Sequence, residues 1–143
     1  MIHASSTVLA YSKGFKYQVR EYDFEVFVGD WGQTDDIDTK WIKLTIDGWL
    51  TIRVGYAWDG CSGPTIDSRK SMRGGAIHDA GYELIRKRFL PAKSKGPVDN
   101  TLHGYLLADN MWQFRADYYY WGVDRFGESS TLPSHKKEIL YAP

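Results

Sequence analysis

The sequence predicts an α+β fold, with strands in its first part and helices in the rest. Residues 22–28, "YDFEVFV", and 42–54, "IKLTIDGWLTIRV", alternate apolar and polar side chains with the period of two of a half-buried strand. Residues 68–89 instead place apolar side chains at helical spacing. Between them "GYAWDGCSGPTID", residues 55–67, is broken by glycine and proline and reads as a loop. Strands in one block and helices in the next are the α+β pattern. At 143 residues a single domain is expected, with 1–60 mainly β, 66–128 mainly α and 129–143 a tail.

Each element follows from its own pattern. In 22–28, Tyr22, Phe24, Val26 and Val28 share one face, and Asp23, Glu25 and Phe27 the other. Residues 29–40, "GDWGQTDDIDTK", are polar and rich in glycine and aspartate, and read as loop. In 42–54 the Asp47-Gly48 pair marks an antiparallel hairpin. A two-residue loop there would split the apolar residues between faces. A three-residue loop over 47–49 keeps Ile42, Leu44, Ile46, Leu50, Ile52 and Val54 on one buried face. In the following helix Met72, Ala76, Ile77, Ala80, Leu84 and Ile85 make the apolar stripe, with Asp67 or Ser68 as N-cap. "RKRFL" closes it with positive charge at the negative end of the helix dipole. "PAKSKGP", residues 91–97, reads as a surface connector. A second helix is expected from Val98 or Asp99 through Met111, and a third, aromatic one over 113–127.

Composition narrows the function classes. Lys and Arg total 18, as do Asp and Glu, so no net field points to nucleic acid. The one cysteine, Cys61, excludes an intrachain disulfide framework. The N-terminal segment lacks the charged and apolar regions of a signal peptide, and no apolar run is long enough for a transmembrane helix. Cys61 has no basic neighbour in sequence to make it a nucleophile, and Ser62 lacks the flanking glycines of a nucleophile elbow.

The chemistry concentrates in "GGAIHDAGYELI", residues 74–85. Glycine inside a helix costs about 1 kcal/mol against alanine, so Gly74, Gly75 and Gly81 call for close packing or a bound group. Four residues apart, His78 and Tyr82 share a helix face. Asp79 is turned about 100° from His78. A histidine serves as a general base when a carboxylate holds its far nitrogen. Across a short connector, Asp99 is the candidate carboxylate and Asp109 the alternative. Asp79 suits a hard cation such as calcium, which takes oxygen ligands including backbone carbonyls. The glycine-rich loop can turn such carbonyls inward. The bland alternative is a buried polar network that only specifies packing.

The ordered set "GYAWDGCSGP", "HDAGY", "VDNTLHGYLL" and "YYYWGVDRFG" resembles a domain family of unknown function widespread in tailed bacteriophages and prophages, over roughly residues 40–128. Gly63 stands where that pattern has an apolar residue, and the connector before Asp99 is longer. More distantly, a glycine-rich loop, then H-D-x-x-Y on a helix, then Asp on an antiparallel helix, is similar to phospholipase A2, closest to the disulfide-free form of parvoviral capsid proteins. That resemblance implies His78 as the base activating water, Asp99 and Tyr82 as the groups orienting it, and Asp79 as a calcium ligand. It implies that the loop carrying Trp58, Asp59, Gly60 and Ser62 completes a calcium site. The expectations are a calcium-dependent ester hydrolase acting on phospholipid or another ester, or a non-catalytic phage structural or accessory protein with other phage proteins as partners. The expected location is the host cytoplasm or the virion.

Overall fold

The structure, a computed structural model, describes residues 5–9, 11–12, 17–58, 69–111, 116–117 and 120. It is α+β, and the chain divides into two compact units, one built on residues up to Asp59 and the other beginning at Gly60. The change of unit coincides with the change of sequence character read as the β and α parts of one domain.

In the first unit the alternating stretches form strands. The elements are β1 (Ser5–Ser6), β2 (Tyr11–Ser12), β3 (Tyr17–Val19), β4 (Asp23–Phe27), β5 (Ile37–Asp38), β6 (Ile42–Leu44), β7 (Trp49–Ile52) and β8 (Ala57–Trp58). They make a five-stranded sheet in the order β1-β4-β7-β6-β5 and a three-stranded sheet in the order β2-β3-β8. All pairings are antiparallel except β1 with β4, which is parallel. Phe24, Val26, Ile42, Leu44, Leu50 and Ile52 are buried, as the period of two requires.

The hairpin loop has the expected odd length but sits one residue earlier. Leu44 pairs with Leu50 and Ile42 with Ile52. The Thr45 amide donates to the Trp49 carbonyl at 2.9 Å, so the loop is 46–48 rather than 47–49. Gly48 decides this. Its φ of +96° suits the last position of a three-residue hairpin loop, and a Cβ there would stand 2.6 Å from Gly29 Cα. Ile46, expected in the core, is therefore in the loop and 52% exposed, its amide held by Asp36 Oδ1 at 2.7 Å. Val54 lies beyond β7 and is half-buried, its amide donating to Asp23 Oδ1. The 29–40 segment is loop up to β5, but it is packed. Trp31 is buried, and Gln33 bonds the Trp31 amide and the carbonyls of Gly29 and Thr45.

The second unit is built on α1 (Arg69–Arg86) and α2 (Lys95–Ala108), joined through a 3-10 turn at Ala92–Ser94. Two α-helices, α1 and α2, lie wholly among the described residues. The expected third falls mostly outside them, as do the expected N-cap residues Asp67 and Ser68 and the tail 129–143. α1 ends three residues before the expected Phe89. Arg88 takes a left-handed φ of +66°, and the Arg88 and Phe89 amides return to the carbonyls of Ile85 and Leu84. That is a Schellman closure made with arginine where glycine is usual. α2 starts three residues before Val98, because Pro97 lies in its first turn, where a missing N–H costs no helical bond.

Every residue of the expected α1 stripe is buried. Gly74 explains one glycine: a Cβ there would meet Leu102 Cδ1 at 2.9 Å and Leu106 Cδ2 at 3.3 Å. The glycine lets α2 come close enough to bring polar side chains of the two helices into direct contact.

Candidate functional site

The α1–α2 contacts run in opposite chain directions. Arg73 reaches Asp109, Gly74 faces Leu102 and Leu106, and His78 and Tyr82 both reach Asp99. The two helices are thus antiparallel neighbours, as a short connector demands.

At the middle of this contact His78 Nε2 lies 2.8 Å from Asp99 Oδ1, and the Tyr82 hydroxyl donates to the same oxygen at 2.7 Å. The His78 and Tyr82 rings lie 3.9 Å apart between centroids, as a pair four residues apart on one helix face allows. Both side chains are buried: His78 is 2% exposed and Asp99 0%. The choice between two aspartates is settled. Asp99 partners His78, and Asp109 caps α2 while bonding the Arg73 guanidinium.

Asp99 also accepts from Lys95 Nζ, at 2.8 Å on Oδ2. Burial pushes its carboxyl up, but the hydrogen bonds from His78, Lys95 and Tyr82 outweigh it and hold the group below its ordinary value. An ionised carboxylate only accepts. Nε2 of His78 therefore carries the proton, and in the neutral ring the lone pair is on Nδ1. Among the described residues no hydrogen bond reaches Nδ1. The arrangement can fix a tautomer and present one basic nitrogen.

Asp79 is turned away from His78, as the helical period requires, and is buried. One turn on, Glu83 is buried on the same face. Burial pushes its carboxyl up, with Lys87 and Arg86 opposing and the Asp79 charge adding to the rise. Among the described residues no three His, Cys, Asp or Glu side chains come together as a metal site. Asp59, Gly60 and Ser62 lie outside the described residues. Trp58 is on β8 in the first unit, its ring buried 5.7 Å from that of Tyr17.

Two residues that the sequence reading passed over have partners. Lys95 lies in the stretch expected to be a connector, which hides its helical spacing of four from Asp99. His103 meets Asp117 Oδ1 at 2.6 Å, and its ring stands edge-on to Tyr120 at 5.5 Å. Asp117 lies 14 residues away on another segment, which no local spacing reveals.

Compared with known proteins, the chain matches no family model, no curated protein and no solved structure.

Proposed function

We propose that this chain is a phospholipase A2-like, calcium-dependent ester hydrolase of phage or prophage origin. The observation that carries the reading is the buried contact of His78 with Asp99 and Tyr82. It supports a base because the carboxylate holds Nε2 of His78 and leaves Nδ1 for chemistry. In this reading Asp99 and Tyr82 hold the ring, and Nδ1 of His78 takes the proton from a water that attacks the ester carbonyl. Asp79 offers hard oxygen donors of the kind calcium takes, with the remaining oxygens coming from the segment that carries Gly60 and Ser62. Bound calcium would polarise the ester carbonyl and stabilise the negative charge that develops on it.

A second reading has its own observation. His78 and Asp99 are so thoroughly enclosed that the same contact suits a non-catalytic phage protein whose polar core specifies how the helices pack. Purified protein on mixed phospholipid vesicles with added calcium separates the two. The hydrolase reading expects ester hydrolysis that a chelator abolishes. It expects His78→Gln to lower the rate on the order of 10²-fold or more with the fold kept. No hydrolysis by the wild type, with strong destabilisation by His78→Gln, supports the structural protein.

A further inference from the structure

Asp99 divides its two oxygens. Oδ1 receives His78 Nε2 and the Tyr82 hydroxyl, while Oδ2 receives Lys95 Nζ at 2.8 Å. The Lys95 side chain is 17% exposed and that of Asp99 only 1%, so this is a largely enclosed contact and not a solvated surface pair. Both residues are on α2, four apart, and the helix itself sets their spacing.

We propose that Lys95 is a positioning residue that pins the Asp99 carboxylate and thereby holds His78 in the tautomer with its proton on Nε2. Two consequences of the geometry support it. A carboxylate held on Oδ1 alone can swing about its Cβ–Cγ bond, whereas one held on both oxygens by groups from two helices has a single orientation. An ammonium beside a buried carboxylate also keeps it an acceptor. A protonated Asp99 would donate to Nε2 and move the ring proton to Nδ1, removing the lone pair on which a base depends. The catalytic consequence rests on the hydrolase reading, while the tautomer itself is measured without substrate.

The test uses the full chain labelled with nitrogen-15. Two-bond nitrogen–proton spectra at neutral pH report the protonation pattern of each imidazole, and His78→Gln identifies the His78 signals. The wild type is expected to show His78 as the single Nε2–H tautomer. Lys95→Met and Lys95→Gln, each checked for an intact fold by the backbone amide spectrum, are expected to lose that single pattern, and Lys95→Arg to keep it. In the vesicle assay, kcat is expected to fall about tenfold in the two uncharged variants, the scale at which loss of a group fixing an imidazole is felt. KM should stay unchanged, and Lys95→Arg should restore most of kcat. A folded Lys95→Met or Lys95→Gln that keeps the single Nε2–H pattern overturns the proposal, whatever the assay shows. A wild type without hydrolysis whose tautomer still depends on the charge at position 95 overturns the hydrolase reading and leaves the positioning role standing.

Discussion

At the scale of single residues, Asp99 has three described donors, and the consequences of removing them differ. Tyr82→Phe takes away one hydroxyl and keeps the ring that lies against His78. A hydrogen bond to a charged group contributes about 1.5–3 kcal/mol. Asp99 still has His78 and Lys95, so the expected loss is at the lower end, about 1.5–2 kcal/mol by denaturant unfolding at unchanged m-value. A loss near zero would mean that the hydroxyl bond contributes nothing net against hydration. The choice of Asp99 over Asp109 came from the structure, whereas the shared face of His78 and Tyr82 and an aspartate partner on an antiparallel neighbour were legible in sequence. Lys95 was not, since its relation to Asp99 exists only if "KGP" is helical, and glycine followed by proline argues locally for a loop. His103 was not either, because its partner is fixed by tertiary contact alone.

At the scale of elements, the apolar patterns carried more than the boundaries did. Period two placed Phe24, Val26, Ile42, Leu44, Leu50 and Ile52 inside, and period 3.6 did the same for the α1 stripe. The hairpin loop was misplaced by one residue because the apolar alternation constrains parity, while the position of the loop depends on which residue takes positive φ. Gly48 takes it, and Ile46 is left exposed as a result. The end of α1 was misplaced for a related reason: the left-handed residue is Arg88, with no glycine to announce it. A side chain in that conformation costs about 1–2 kcal/mol, while glycine loses about 0.5–1 kcal/mol more on folding in entropy. Arg88→Gly is therefore expected to stabilise the protein by about 0.5–1 kcal/mol, read as a raised denaturation midpoint. A lowered midpoint would show that the arginine side chain contributes more at the helix end than its backbone conformation costs.

At the scale of the whole molecule, positive and negative side chains are equal in number, so net charge does not dominate stability near neutrality. Individual buried groups do, and two on the helices act in opposite directions. Asp99 is held below its ordinary value, so its contribution is present above the ordinary 3.8 and is lost as pH falls through its value in the fold. Glu83 is raised, chiefly by burial, so its contribution is full below the ordinary 4.5 and is lost as pH rises through its value in the fold. The ion pair with Lys87, at 3.7 Å, does not reverse that direction. Glu83→Gln keeps a neutral side chain of the same shape at every pH. Unfolding measured from about pH 3 to pH 8 should show the variant gaining on the wild type as pH rises above the ordinary Glu83 value and becoming the more stable of the two toward neutrality. Asp99→Asn should do the reverse. It should cost about 3 kcal/mol near neutrality, where it removes the negative member of a largely enclosed ion pair with Lys95. The gap should narrow as acid protonates Asp99 in the wild type. If the Glu83→Gln difference stays flat across the range, Glu83 ionises as readily in the fold as in the unfolded chain, and the buried carboxyl on that face of α1 has a countercharge closer than Lys87.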